Sequence, residues 1–362
     1  MTKINTIHSP QHTNQHPRHP HPHPLPHRPT APLLTYPKLD LIDKKILTEL
    51  DKNSRQSNNH LAKSLRISRE KIDYRIKQLV SKHIIKKFPT IINPTSFGYS
   101  MHKLYFQFQH LTPEKEQELI HYLKANPYVQ WITTCKGKWD MNIIIFAHNV
   151  EHFNQLMQEF YTHYGHYILT QNFNISLAVG NMQKGWILKE KYYYSTILYT
   201  ANDQASLSLD KTDLEILKII GNNARMSVVD IAKKINATAR IVQYKLKTLE
   251  KNNVIKGYTI SLDYTLLKKQ FYKVIFYINV LDTQLKNKLI EYCRKQNNMP
   301  YFVFCVGEWP FEVEYVVDDI EEFYKSVEDI KTNFPQIKRY ESILLAKEYK
   351  FDFLPMCYTP EK

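Results

Sequence analysis

The chain has 362 residues, 43% of them hydrophobic, and carries 49 Lys and Arg against 35 Asp and Glu for a net charge of +14. That length suits two or more modest cores rather than one, and a positive balance by itself implies only affinity for polyanions. No apolar run approaches membrane-spanning length and MTKINTIHSPQHTNQHP has no signal-peptide core, so the expectation is a soluble, cytoplasmic protein with no membrane partner.

Residues 1–38 contain HPRHPHPHPLPHRP, an alternation of His and Pro that forbids a regular helix and cannot build a core. It reads as a disordered, partly polyproline-II arm whose histidines form a solvated tail rather than a metal site. Residues 39–95 follow. Ile42, Ile46, Leu47 and Leu50, then Leu61, Ala62 and Leu65, then Ile72, Ile76 and Leu79 fall at helical spacing and predict three short amphipathic helices. Only Arg66 and Ile67 separate the second helix from the third, and Ser68 is placed to cap the third. So short a turn between two helices is the helix-turn-helix pattern. IIKKFPTIINP, directly after it, predicts the paired strands of a wing.

In residues 100–185 a strand-like run at 104–108 precedes a helix with Leu119, Ile120 and Leu123 on one face. Strands at 129–135 and 141–147, a helix with Phe153, Leu156, Met157 and Phe160, and a strand near 168–179 complete a βαββαβ, ferredoxin-like order. One face of such a sheet is uncovered, and two such sheets can cover each other. The turn CKGKWD at 135–140 suits either a hairpin packed by Trp139 or a close backbone approach around a small molecule. Residues 186–208 end in a polar, small-residue stretch and read as a linker.

From Leu209 the pattern recurs. LDLIDKKILTEL at Leu39 and LDKTDLEILKII at Leu209 stand 170 positions apart. Without gaps, Arg55 then meets Arg225, Ser57 meets Ser227, Tyr74 meets Tyr244, and Cys135, Gly137 and Trp139 meet Cys305, Gly307 and Trp309. Residues 209–265 repeat the tri-helical block and its wing, with Asn236 and Ala237 in the short turn and Thr238 as cap. Residues 270–350 repeat the βαββαβ block, with strands at 274–280, 302–306, 311–317 and 343–346. The fold class expected is α+β, two winged helix-turn-helix domains and two ferredoxin-like βαββαβ domains in tandem, paired about a pseudo-twofold axis as an intrachain pseudo-dimer.

The net charges are +4 for the arm, +7 for residues 39–95, 0 for 96–208, +4 for 209–265 and −1 for 266–362. Such clustering marks a nucleic-acid footprint. On the third helix Arg69, Lys71, Tyr74, Arg75, Lys77 and Gln78 lie away from the apolar face, as do Arg240, Gln243, Tyr244, Lys245, Lys247 and Thr248 in the copy. They are the candidate contacts to base edges and phosphates of double-stranded DNA. The blander alternative, a solvated basic face, loses weight because both copies carry it. Cys135, Cys293, Cys305 and Cys357 form no C-x-x-C pair and read as small buried residues, so no metal and no cofactor is expected.

LDLIDKKILTEL, NSRQSNNHLAKSLRIS, REKIDYRIKQLVSKHIIKKF, GKWD and the second wing VIKGYTISLD resemble the leucine-responsive regulator/AsnC family over about residues 39–185 and 209–350. The resemblance implies a DNA-binding winged helix and a ligand-responsive βαββαβ domain that assemble as dimers and higher homo-oligomers, with DNA faced by Tyr74, Arg75, Lys77, Gln78, Tyr244, Lys245, Lys247 and Thr248. It also implies a small-molecule effector, such as an amino acid, near Gly137, Lys138 and Asp140, with Gly307 the counterpart in the copy. Three departures stand out: Arg66 and Asn236 replace the family's turn glycine, Pro310 replaces the acidic residue of the turn motif, and the His/Pro arm has no counterpart.

The function expected is a sequence-specific transcription regulator and no enzyme. One rival is a siroheme decarboxylase-like enzyme of the same superfamily. Its tetrapyrrole carboxylates would need a cluster of Arg, Lys or His, yet the counterparts of His102, His148, His163 and His166 in the copy are Tyr272, Asp318, Asn333 and Gln336, none of them histidine. The other is a non-specific, chromatin-like DNA-binding protein held by phosphate contacts alone. No phosphate-cradling glycine loop and no nucleophile constellation is present, so no catalytic residue is expected.

Overall fold

A computed structural model describes residues 36–189, 196–200 and 208–354; the His/Pro arm up to residue 35 and Cys357 lie outside the described residues. The first head consists of α1 (Leu41–Lys52), α2 (Asn58–Leu65), α3 (Arg69–Ser81), β1 (Ile85–Lys87) and β2 (Thr90–Ile92). The first βαββαβ unit is β3 (Ser100–Phe108), α4 (Pro113–Ala125), β4 (Val129–Lys136), β5 (Met141–Ala147), α5 (Val150–Tyr164) and β6 (Ile168–Met182), and β7 (Thr196–Thr200) follows it. The second head is α6 (Lys211–Ile220), α7 (Val228–Lys234), α8 (Ala239–Lys251), β8 (Ile255–Tyr258) and β9 (Ser261–Leu262). The second unit is β10 (Gln270–Ile278), α9 (Thr283–Cys293), β11 (Tyr301–Gly307), β12 (Phe311–Val317), α10 (Ile320–Asn333) and β13 (Ile337–Phe351).

Local chemistry explains the helix starts, and it repeats between copies. Asp40 and Asp43 form a capping box on α1, as Asp210 and Asp213 do on α6. Ser57 and Ser227 cap the second helices, and Ser68 and Thr238 the third, each accepting a backbone N–H three residues on. The short turn needs a left-handed residue, and Arg66 (φ 55°) and Asn236 (φ 53°) supply it where glycine would be free of strain. Leu50, Leu61, Ile72 and Leu79 close the first core, and Ile216, Ile220, Ile231, Val242 and Leu249 the second.

The wings differ from the expected local hairpins. β1 pairs antiparallel with β9, and β2 with β8, so each head completes its wing with a strand of the other. A run such as IIKKFPTIINP predicts two strands but not their partner, because hydrophobic pattern fixes which face is buried and not which chain segment lies alongside.

The βαββαβ order holds in both units, with strand order β4-β5-β3-β6 in the first and β11-β12-β10-β13 in the second. The sheets do more than face each other. β6 pairs with β3 through residues 168–175 and with β11 through 174–181; β13 pairs with β10 through 337–344 and with β4 through 344–351. The eight strands therefore close into a ring whose open edges are satisfied. This explains why the last strands, expected at 168–179 and 343–346, run to fifteen residues each. Their far halves leave their own sheet, where local alternation gives no signal.

The stretch read as a linker is partly built into the fold. Trp186 and Ile187 are buried in the first head's core, and β7 pairs with β6. The buried Lys184 ammonium donates to Asp51 Oδ1 (2.6 Å) and to Thr259 Oγ1 (3.2 Å), tying the end of β6 to α1 and to the second wing.

Candidate nucleic-acid interface and effector turns

On α3, Ile72, Ile76 and Leu79 face the core, and Arg69, Lys71, Tyr74 and Lys77 are exposed. On α8, Val242, Leu246 and Leu249 are inward, and Arg240, Gln243, Tyr244 and Lys247 are exposed. Tyr74 and Tyr244 stand out at 60% and 68% exposure, since a large aromatic on a solvated helix face has a rim and a hydroxyl available to a groove. Gln78 and Thr248 are half-buried, and the Thr248 hydroxyl donates to Tyr244 O at 3.0 Å.

Arg75 and Lys245 sit differently from the rest of the set. Arg75 Nη1 lies 2.5 Å from Asp40 and 3.0 Å from Asp43, and Lys245 Nζ lies 2.5 Å from Asp210 and 3.1 Å from Asp213. Each clamps the third helix to the capping box of the first. The Asp43 backbone N–H, with the Arg75 guanidinium, holds the Asp40 carboxyl below its usual range. Burial pulls the Lys245 ammonium down, but Asp210 and Asp213 outweigh it and leave it raised. Arg69 is 3.8 Å from Asp73 on its own helix.

Sequence reasoning missed the joint between the heads. Arg55 Nη1 donates to Ala224 O (2.5 Å) and Met226 O (3.2 Å), and Arg225 Nη1 donates to Ser54 O (2.6 Å) and Gln56 O (3.2 Å). The guanidinium groups also lie over Tyr258 and Phe88, at 5.8 and 5.6 Å from the ring centroids. The pairs Arg55/Arg225 and Phe88/Tyr258 are register equivalents, so the exchange is reciprocal. The signal was present, because Arg55 meets Arg225 in the repeat, but nothing local says that each reaches the other copy. Beside Arg225, an open groove of about 550 Å³ is lined by Asn223, Met226, Ser227, Asp230, Lys233 and Lys234.

The two turns expected near an effector are placed against the opposite unit. Gly137 (φ 124°) packs at Ser342, Lys138 Nζ is 3.0 Å from Glu341, and the Asp140 carboxylate accepts the Phe108 N–H at 2.8 Å. At Gly307 (φ 153°) any side chain would collide with Asn174 and the Phe173 carbonyl. Among the described residues, no partner reaches either amide atom of the buried Asn174 or the Trp139 indole N–H. The Trp309 indole N–H, by contrast, donates to Glu312 at 2.7 Å.

Inside the ring the charge is dense. Glu312 accepts from Lys103, from Lys273 (3.3 Å) and from the Tyr105 hydroxyl (2.9 Å), and Lys273 also pairs with Glu314 (3.1 Å). Burial alone would raise the Glu312 carboxyl, but the two ammonium groups hold it down at about 2. Burial pushes the Cys135 thiol up to about 12, so it is an inert packing group. His102 stacks on Phe153 and Phe173 (4.5 and 5.8 Å), and burial with His152 nearby lowers it to about 4. His148 stacks on Tyr99 at 3.9 Å, while His163 and His166 lie beside Tyr122 and Tyr167. Among the described residues no three His, Cys, Asp or Glu stand close enough to hold a metal ion, and no helix is long and apolar enough to cross a membrane.

The model of a winged helix-turn-helix DNA-binding domain matches residues 39–86 and again 209–256. An uncharacterized HTH-type transcriptional regulator of Pyrococcus horikoshii is 30% identical over 122 residues, which is 33% of this chain and 80% of the relative. The HTH-type transcriptional regulator FL11 of the same organism is 31% identical over 119 residues, 33% of this chain and 78% of the relative. LrpB of Bacillus subtilis is 26% identical over 93 residues, 26% of this chain and 61% of the relative. Such relatives are about one copy long where this chain holds two. Among solved structures, the siroheme decarboxylase NirDL superposes over 86% of this chain and 92% of its own with a TM-score of 0.57 at 14% identity, a likeness of fold that spans both copies.

Proposed function

Because this chain belongs to the leucine-responsive regulator/AsnC family, we propose that it is a transcription regulator that binds double-stranded DNA through two non-identical heads on one polypeptide. The observation that carries this is the pair of matched helix-turn-helix domains, each presenting an exposed basic helix with a tyrosine at its centre. Tyr74, Lys71, Lys77 and Arg69, with Tyr244, Gln243, Lys247 and Arg240, are its reading residues; Gln78 and Thr248 flank them. Because α3 and α8 differ in sequence, the operator is an imperfect inverted repeat. Selection from random duplex at fixed salt tests it: two unlike half-sites are expected, and perfectly symmetric half-sites or no enrichment would overturn it.

The regulator reading includes a cytoplasmic location and a small effector, of amino-acid size, at the turn of Gly137, Lys138 and Asp140. The Gly307 turn carries Pro310 instead of a carboxylate, so one responsive site per chain is the proposal, with higher homo-oligomers formed by whole chains. A binding rather than catalytic role is supported by the ring interior, where Glu312 already accepts from two ammonium groups, a phenol and an indole. Added iron porphyrin is expected to leave its absorption spectrum unshifted; a shifted Soret band with loss of carboxylate would reverse this assignment.

A further inference from the structure

The charges enclosed by the ring are not shared equally between the two copies. Lys103 and Lys273 are register equivalents, each nearly inaccessible. Glu312 and Glu314, however, correspond to Asn142 and Ile144. In the strand pairing, Lys273 stands opposite Glu314, whereas Lys103 stands opposite Ile144 and takes its carboxylate, Glu312, from the other unit. One carboxylate near the pseudo-axis thus serves both ammonium groups.

The balance holds only for a mixed pair. One unit of each kind encloses Lys103, Lys273, Glu312 and Glu314, a net charge of zero. Two first units would enclose two lysines facing Asn142 and Ile144, a net of +2 with no carboxylate; two second units would enclose two lysines and four glutamates, a net of −2. Leaving a buried charge unpaired is strongly unfavourable, and far more so than the gain from burying a matched pair, so such groups act best as discriminators between partners. Indole pairing follows the same asymmetry: the Trp309 N–H donates to Glu312, while the Trp139 N–H, whose equivalent position to that carboxylate is the amide Asn142, has no hydrogen-bond partner among the described residues.

We propose that Glu312 is a pairing code: the ring accepts one unit of each kind and rejects like with like, so that a second copy of this chain cannot insert its first unit against another first unit. The single polypeptide therefore always presents one head of each type.

The test keeps every residue of the chain. A protease site is introduced between residues 201 and 207, the chain is nicked, denatured in urea, refolded by dilution and sorted by native mass spectrometry. Mixed pairs alone are expected, whereas random association would put roughly half of the molecules in like pairs. Like pairs at that statistical share would overturn the proposal. Asn142→Glu with Glu312→Asn moves the carboxylate to the other unit, where the Trp139 indole is available to it, and makes every pairing neutral; like pairs are then expected to appear. Lys103→Met with Glu312→Gln also makes every pairing neutral and serves if the first variant does not refold. Mixed pairs only, in the wild type and in whichever variant refolds, would mean that shape and not charge selects the partner, and would equally overturn the proposal.

Discussion

Replacing Arg55 and Arg225 by Ala, singly and together, probes whether the heads are joined by the reciprocal arginine exchange. Each side chain supplies two bonds from one charged nitrogen to backbone carbonyls of the opposite loop, and Arg225 Nη2 donates in addition to the Asn58 amide oxygen. A hydrogen bond involving a charged group contributes about 1.5–3 kcal/mol, and water can partly replace it in a half-buried loop, so about 2 kcal/mol per arginine is expected. The two sites are not independent. Arg55 lies between Ser54 and Gln56, whose carbonyls accept Arg225, so removing either loosens the loop that presents the other. The double variant should therefore lose about 3 kcal/mol, short of the additive value by more than about 0.5 kcal/mol. Urea unfolding followed by circular dichroism measures all three. Single losses below about 0.5 kcal/mol, or strict additivity, would show that the exchange does not couple the heads.

Tyr74→Ala with Tyr244→Ala should lower DNA affinity at least tenfold, about 1.4 kcal/mol, without changing the unfolding midpoint, whereas Arg75→Ala should chiefly lower the midpoint; titration of labelled duplex beside a melt separates them, and the reverse pattern would refute the assignment. Arg66→Gly relieves a left-handed residue at φ 55° and should stabilise the chain by roughly 0.5–1 kcal/mol, since relief of about 1–2 kcal/mol exceeds the added freedom of the unfolded glycine; a lower midpoint would contradict it. His102 sits at about 4 against an ordinary 6.5, so the unfolded chain binds the proton first and stability falls as pH drops from about 6.5 to 4, by up to about 3 kcal/mol. His102→Tyr, which installs the residue of the second copy, should remove that slope, and an unchanged pH profile would exclude His102 as its origin.

Much of this was readable because the chain states it twice. The helices around Ile46, Leu61 and Ile76 and the caps Ser68 and Thr238 follow from periodicity and local backbone chemistry, and the 170-residue register gave each reading a second instance; the left-handed turn at Arg66 and Asn236 was signalled only by the family glycine that they replace. What stayed hidden is what crosses between copies. Lys103 lies just before the strand expected at 104–108, and nothing local points to Glu312 in the other copy; Arg75 reads as a groove residue because Asp40 and Asp43 are 35 and 32 residues away in sequence and adjacent only once the core has closed. The long second halves of β6 and β13 leave no alternating signature, since their partners belong to the other sheet.

The strand exchange also sets a timetable for synthesis. β1 and β2 leave the ribosome well before their partners β9 and β8, and β4 must wait for the end of β13. With partners roughly 170–215 residues downstream and translation at about 5–20 residues per second, these edges stay unmet for roughly 10–40 s. During that interval the first half exposes β-edges complementary to any second half, including one from a neighbouring nascent chain. A polypeptide that must complete its own wings from its far end is therefore one whose yield depends on how closely ribosomes follow one another along its message.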